Sequence, residues 1–236
     1  MKTIGLLGGM SWESTTHYYQ LLNQRINEKL GGLHSAKIAM VSVDFQPLAT
    51  AMLRGEWTEC GERLADAAQK IEAAGADFLL ICTNTMHKVA GIITDAVSIP
   101  LLHIADATAE RVKEENMQTV GLLGTSFTME EAFYKGRLSE RHGLTVIVPP
   151  LEDRRIVHEV IFEELCRGKI SPGSRLHFLR IIETMRREGA EAVIEGCTEI
   201  AMLVQQNHTS VPLFDTTALH VEQAVRFALE DEYLTD

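Results

Sequence analysis

The chain repeats itself at a nearly constant interval. Residues 3–8 read TIGLLG, and residues 119–124 read TVGLLG, 116 positions later. GAD at 75–77 returns as GAE at 189–191, an interval of 114, and IPL at 99–101 returns as VPL at 211–213, an interval of 112. Because three matches in the same order at almost one interval are not expected by chance, the sequence predicts two similar halves.

Each half alternates short apolar runs with longer amphipathic stretches, a pattern typical of parallel strands joined by helices. We therefore predict the α/β class, with two pseudo-symmetric three-layer αβα halves that each contain a parallel four-stranded sheet. The fourth strand of the first half is predicted at 100–104. The first half is predicted at 1–103, joined by a C-terminal helix at 216–236, and the second at 104–215. Since such sheets bind ligands at the carboxyl ends of their strands, we expect the active site in the cleft between the halves.

Charge and missing motifs exclude several classes of function. With 22 basic and 33 acidic side chains the formal net charge is −11, so nucleic acid is not an expected partner. No apolar run is long enough to cross a bilayer, so no membrane partner is expected either. The four cysteines form no CxxC pair and the nine histidines lack ligand spacing, so no metal is predicted. Without an export signal, we expect reduced thiols and a cytoplasmic location.

The repeat aligns two polar segments that follow apolar strands. Thr83 stands eight positions after the first residue of GAD, and Cys197 stands eight positions after the first residue of GAE. TNT at 83–85 therefore corresponds to CTE at 197–199, while Cys82 corresponds to Gly196. Because side chains alternate along a strand, Cys82 and Thr83 are expected to point to opposite sides, with Thr83 facing the cleft.

The surroundings of Cys197 favour a functional thiol. Its neighbours Gly196, Thr198 and Glu199 are small or polar, which is typical of a turn between a strand and a helix beside a ligand. A helix N-terminus at this point is expected to lower the pKa of the thiol. The other three cysteines are interpreted as small core hydrophobes: Cys60, Cys82 and Cys166.

The glycine-rich turn after the first strand does not match a nucleotide fingerprint. Its glycines lack the GxGxxG spacing, and no GxxxxGK[ST] word occurs. Gly8, Gly9 and Gly124 are instead expected to let backbone N–H groups approach an anionic ligand. Ser14 or Thr15 is expected to cap the helix that follows.

Three sequence words resemble those of the aspartate/glutamate racemase family, in order and along essentially the full length. They are GLLGGM at 5–10, TNTMH at 83–87 and GCTE at 196–199. The resemblance implies two pseudo-symmetric α/β halves and no cofactor. It also implies two bases on opposite faces of the Cα of an acidic amino acid, one removing the α-proton and the other returning a proton.

The first base departs from the family pattern. Both bases are normally cysteines, whereas Thr83 stands here in the first position and Cys197 in the second. This pair resembles the L-aspartate/glutamate-specific branch. It implies an isomerase that racemises L-glutamate and L-aspartate without pyridoxal phosphate, with Cys197 as the base and Thr83 opposite. Glu199 and His87 are candidates for an assisting role.

The substrate contacts are also expectations. The family's cations for the side-chain carboxylate fall near Pro47 and Cys166 here, which leaves Arg54 as the candidate. A small acidic amino acid and a second copy of the chain, in a homodimer, are the expected partners. The expected donors to the α-carboxylate are Asn84, Thr85 and Thr198. The residues expected near the amino group are Thr125 and Thr128, and a further expected substrate contact is Met10.

Two other interpretations stay open. One is a relative with a single catalytic cysteine, either a decarboxylase or a cis-trans isomerase of small dicarboxylates. The other is a non-catalytic sensor of acidic ligands, in which the loss of the first cysteine marks lost chemistry. Exchange of the substrate α-proton with solvent separates the racemase from both.

Overall fold

A computed structural model describes residues 1–230, which form two units. The first unit comprises Met1–Ile104 and residues 220–230, and the second comprises Ala105–Leu219. Each unit is built on a parallel sheet, which confirms the predicted α/β class. Of the helix predicted at 216–236, the last six positions lie outside the described residues. No helix within residues 1–230 has the length and apolar character needed to cross a membrane.

The first unit contains one strand fewer than predicted. Its strands are β1 Ile4–Gly8, β2 Ile38–Ser42 and β3 Phe78–Ile81, in the order β2-β1-β3. In place of the fourth strand expected at 100–104, a single bridge joins Leu79 and Leu101. Pro100 has no N–H to donate and a helix already begins at Ile104, so too few residues remain for a strand.

Helix α1 of the first unit begins earlier than predicted. Its cap is Ser11, whose side chain accepts the N–H of Ser14 at 3.2 Å, rather than Ser14 or Thr15. Ser14 instead donates its hydroxyl to the carbonyl of Cys82 at 3.0 Å. The helices are α1 Trp12–Leu30, α2 Phe45–Arg54, α3 Trp57–Ala73 and α4 Ala90–Asp95, with a 3-10 turn at Thr85–Val89.

The sheet of the first unit is covered on both faces. Tyr18 and Leu22 of α1 pack on one face together with Phe78 of β3. On the other face α3 approaches so closely that a Cβ added to Gly5 would lie 2.7 Å from a methyl carbon of Ile71. These contacts make three layers, as predicted for this half.

The second unit contains a four-stranded parallel sheet. Its strands are β4 Thr119–Gly124, β5 Thr145–Ile147, β6 Ala192–Gly196 and β7 Leu213–Asp215, in the order β5-β4-β6-β7. Apolar side chains of the helices that follow β5 pack on β4 and β6. The remaining α-helices of the chain, of which the last lies mostly in the first unit, are α5 Ile104–Glu114, α6 Ser126–Glu130, α7 Ala132–Gly136, α8 Leu151–Glu163, α9 Pro172–Arg187, α10 Ile200–Leu203 and α11 Thr216–Leu229.

The sequence repeat is also a repeat of hydrogen bonds. Asp77 accepts the backbone N–H of Thr3 in the first unit, and Glu191 accepts that of Thr119 in the second. The same acidic residues donate their own N–H groups back to the two threonine carbonyls, at 2.8 and 2.9 Å. GAD and GAE therefore occupy equivalent places at the start of β3 and β6.

Candidate functional site

Thr83 and Cys197 follow equivalent strands of the two units. β1 pairs Leu7 with Ile81, and β4 pairs Leu123 with Glu195. Positions 81 and 195 are thus equivalent, and Thr83 and Cys197 each lie two residues beyond them. The register predicted from the sequence repeat is confirmed at these strand ends.

Cys82 is a core residue, as interpreted from the sequence. Its side chain is fully buried among the apolar residues that cover β1 and β3. Burial raises the pKa of its thiol far above the usual range, so the thiol is protonated at neutral pH. Thr83, next in the chain, is only half-buried.

The glycine turn after β1 forms its hydrogen bonds within the unit. Gly9 has φ +93°, and an added Cβ would collide with the Val43 backbone, so glycine is required. The Gly9 N–H donates to the Thr15 hydroxyl at 2.8 Å. The side chain of Thr15 also covers Gly8. The expectation that these N–H groups approach an anionic ligand is therefore wrong for Gly9.

The polar side chains after β3 are packed into the first unit. Asn84, Thr85 and His87 are all buried. Nδ1 of His87 lies 2.8 Å from the carbonyl oxygen of Thr83, and its Nε2 lies 3.3 Å from the backbone nitrogen of Ile104. The segment that carries Thr83 is thus tied to the end of the first unit through one histidine.

The segment after β6 brings together a thiol, a hydroxyl and a carboxylate. Sγ of Cys197 donates to Oε2 of Glu199 at 3.0 Å, and the hydroxyl of Thr198 donates to the same oxygen at 2.7 Å. The three residues are 8%, 6% and 3% exposed, respectively. Gly196 is required beside them, because an added Cβ would lie 2.8 Å from the Leu123 carbonyl oxygen.

The pKa of the Cys197 thiol is raised well above its usual value. Burial is the largest cause, followed by the negative charge of Glu199 and by Cys166, which packs on the same core. The prediction that a helix N-terminus lowers this pKa is wrong, since α10 has only four residues and the carboxylate lies much closer. The resting thiol is therefore protonated, and Glu199 is the group in contact with its proton.

Thr125 and Thr128 lie beside the strand end that carries Cys197. Thr125 caps α6 by accepting the N–H of Thr128 at 3.3 Å, and the two hydroxyl oxygens are 3.2 Å apart. A Cβ added to Gly196 would lie 3.3 Å from the methyl group of Thr128. The structure thus brings both threonines to the end of β6 within the second unit.

Met10 and Arg54 occupy different environments in the first unit. Met10 is buried two positions after the end of β1. Arg54 is exposed in the last turn of α2. At 1.5 Å per residue, it lies about 13 Å along the helix axis from Phe45, which follows β2 closely. The role of Arg54 as the cation for the side-chain carboxylate stays a prediction.

Glu195 is a buried acid that the sequence analysis did not single out. It is 3% exposed and lies beside Asp215, its register partner on β7. Burial, and then the charge of Asp215, raises the pKa of Glu195 well above its usual value. The sequence repeat contained an indication of this buried acid, because it aligns Glu195 with the apolar Ile81.

Glu195→Gln is expected to be increasingly more stable than the wild type as pH rises above about 4.3, the pKa of an unfolded glutamate. Above that pH the unfolded chain releases the proton while the folded chain keeps it, so the wild type loses up to about 1.4 kcal/mol of unfolding free energy per pH unit. Urea titrations from pH 5 to 8 measure this slope. Glu62→Gln, at an exposed position of α3, is the control that should keep the wild-type slope. Equal slopes for Glu195→Gln and wild type would contradict the raised pKa of Glu195.

Comparison with known proteins decides the family. Residues 7–224 match the family model described as Asp/Glu/hydantoin racemase. The chain belongs to this family. The resemblance inferred from the three sequence words is thereby confirmed.

Two solved structures and one further relative are similar to this chain. A candidate Asp/Glu racemase from Yersinia pestis is 50% identical with a TM-score of 0.91, and the match covers 97% of this chain and 100% of that one. An aspartate racemase homologue from Pyrococcus horikoshii OT3 is 33% identical with a TM-score of 0.84, covering 97% and 99%. RacX of Bacillus subtilis strain 168, a broad specificity amino-acid racemase, is 22% identical over 94% of this chain and 96% of RacX.

Proposed function

We propose that this racemase-family protein racemises L-glutamate and L-aspartate without a cofactor, with Cys197 and Thr83 acting on opposite faces of the substrate Cα. The observation that carries the proposal is the buried contact of 3.0 Å between the Cys197 thiol and the Glu199 carboxylate. It supplies a proton acceptor for the one thiol that the repeat pairs with Thr83. The Thr/Cys pair supports the L-aspartate/glutamate-specific branch.

Cys197 acts as the base toward the L-substrate. Glu199 takes the Sγ proton, and the resulting thiolate removes the α-proton and becomes a thiol again. The raised pKa makes this thiolate a stronger base once it forms, which suits a carbon acid as weak as an amino-acid Cα. The buried surroundings of Cys197 keep water from competing for the thiolate.

Thr83 returns a proton to the opposite face. Its hydroxyl does not ionise near neutral pH, so it acts as a donor: the O–H bond breaks as the new Cα–H bond forms. Solvent then reprotonates the Thr83 oxygen, and Glu199 releases the proton that it took from the thiol. Over one turnover the substrate exchanges its α-proton for one from solvent.

The substrate contacts expected from the sequence belong to this proposal. Hydroxyl and amide donors hold the α-carboxylate, while two threonines beside β6 lie near the amino group. The cytoplasmic location and the homodimer stay predictions. The proposed contacts are Asn84, Thr85 and Thr198 for the carboxylate, Thr125 and Thr128 for the amino group, Met10 for the carbon chain and Arg54 for the side-chain carboxylate.

Incubation with L-glutamate or L-aspartate in deuterated water tests the proposed function. We expect deuterium at Cα, measured by proton NMR, together with the D-enantiomer, measured by chiral chromatography. The reaction is expected to persist after chelation and without added nucleotide or pyridoxal phosphate. Release of carbon dioxide would indicate a decarboxylase instead, and binding without exchange would indicate a sensor.

A further inference from the structure

Three buried histidines of the first unit lie together next to Thr83. The ring centroids of His87 and His103 are 4.4 Å apart, and those of His87 and His220 are 6.1 Å apart. The three residues are 3%, 7% and 0% exposed, in that order. The proton transfers proposed above use none of these rings, so their burial calls for another explanation.

The hydrogen bonds of His87 select one neutral tautomer. The Thr83 carbonyl oxygen can only accept, so Nδ1 of His87 carries the proton and donates to it at 2.8 Å. The Ile104 backbone nitrogen can only donate, so Nε2 carries no proton and accepts from it at 3.3 Å. Burial, with His103 and His220 adding to it, lowers the pKa of His87 well below its usual value. Both ring nitrogens are thus occupied, and the ring is not an acid or base in the reaction.

His220 holds the same backbone segment from a second point. Its Nε2 donates to the carbonyl of Leu102 at 2.9 Å, and its Nδ1 accepts from the hydroxyl of Tyr18 at 2.9 Å. Burial lowers the pKa of His220 to about 4, so this ring is neutral as well. Since Leu102 and Ile104 lie on either side of His103, the two rings hold residues 102–104 at both ends.

Thr83 needs such support because it lies beyond the sheet. β3 ends at Ile81, and Cys82 makes the last backbone bond to β1, its N–H donating to the Leu7 carbonyl at 3.0 Å. The Thr83 carbonyl is held instead by the ring of His87. A proton donor displaced by about 1 Å can lose two orders of magnitude in rate, so the orientation of this residue matters for catalysis.

We propose that His87 is a positioning residue that holds Thr83 in the orientation required for proton return, with residues 102–104 as its anchor. The inference rests on the proposed function in that Thr83 is the group that returns the proton. His87 acts on the reaction through the Thr83 backbone. It should therefore affect the step that needs Thr83 and leave the step that needs Cys197 nearly unchanged.

Two rates measured on one variant test this role. His87→Ala is expected to lower the formation of D-glutamate from L-glutamate at least about tenfold, while exchange of the α-proton of L-glutamate changes less than about threefold. Exchange persists because Cys197 removes the α-proton, the thiol proton exchanges with solvent through Glu199, and the thiol then returns a solvent-derived proton to the same face. His87→Asn, whose amide N–H can still donate to the Thr83 carbonyl, is expected to recover most of the loss. His34→Ala, at an exposed position of the same unit, should change neither rate.

Other outcomes would overturn the proposal. A parallel fall of both rates, matched by a lower melting temperature, would show that His87 has a purely structural role. Two unchanged rates would show that His87 does not position Thr83. Wild-type protein without any exchange would refute the proposed function separately. In that case NMR decides the positioning role: an Nδ1-protonated His87 ring and a shifted Thr83 amide signal in His87→Ala support it, and an Nε2-protonated ring overturns it.

Discussion

Replacing Cys197 with serine is expected to abolish α-proton exchange from L-glutamate and L-aspartate, with a loss of at least about 1000-fold. A hydroxyl ionises several pKa units above a thiol, and each unit corresponds to about 1.4 kcal/mol, or roughly tenfold in rate. Serine can still donate to Glu199, so the contact of 3.0 Å has a replacement and the fold is expected to survive. Deuterium incorporation measured by proton NMR gives the rate, and circular dichroism checks the fold.

A second cysteine variant is the matched control for this result. Cys82→Ala removes the thiol that adjoins Thr83 in the chain but is buried in the core of the first unit. We expect it to lose some stability and to keep its exchange activity at a temperature where it is folded. Active Cys197→Ser together with inactive, folded Cys82→Ala would contradict the pairing of Thr83 with Cys197.

D-glutamate is expected to exchange its α-proton far more slowly than L-glutamate. In the proposed mechanism each base reaches only one face of Cα, so Cys197 takes the proton of the L-enantiomer and Thr83 takes that of the D-enantiomer. Because a hydroxyl is much less ionised than a thiol, the difference in exchange should reach at least about a hundredfold. Racemisation has an equilibrium constant near one, so the net rates in both directions obey the same limit and the asymmetry appears in exchange.

Thr83→Cys is expected to restore rapid exchange from the D-enantiomer, because a thiol then stands on both faces. Thr94→Cys adds a thiol at an exposed position of α4 in the same unit, and it should leave D-exchange slow. Exchange followed separately on pure D- and L-glutamate makes the comparison. Similar wild-type rates for the two enantiomers, or no gain in Thr83→Cys, would refute Thr83 as the opposing group.

The sequence by itself determined the two similar units and the equivalence of Thr83 with Cys197. A parallel strand buried on both faces must be apolar along its length, so the first strand of each unit, Ile4–Gly8 and Thr119–Gly124, is visible as an apolar run and as a repeat. Thr83 and Cys197 each stand eight positions after the first residue of GAD or GAE, and the strand pairing places the two positions equivalently. The same alignment contained Glu195, where an acid interrupts an apolar strand.

The sequence predicts where helices and strands begin and end less accurately than it predicts the repeated strands. The strand expected at 100–104 shrank to one bridge because a helix begins at Ile104 and a proline precedes it. Three hydroxyl residues in one stretch can each cap a helix, and only the packing of Ser14 and Thr15 against other segments left Ser11 as the cap of α1. Of these contacts, the one made by Ser14 reaches a residue distant in the chain, the carbonyl of Cys82.

Only the tertiary structure decided the ionisation and orientation of the candidate groups. The composition around Cys197 suggested a lowered pKa, but burial and the Glu199 carboxylate raise it. His87 lies in a sequence word shared with the family, yet its proposed positioning role depends on a backbone nitrogen 17 positions away. The physical reason is that a pKa and a hydrogen bond depend on burial and on distances of a few ångströms, which folding sets among residues that are remote in the sequence.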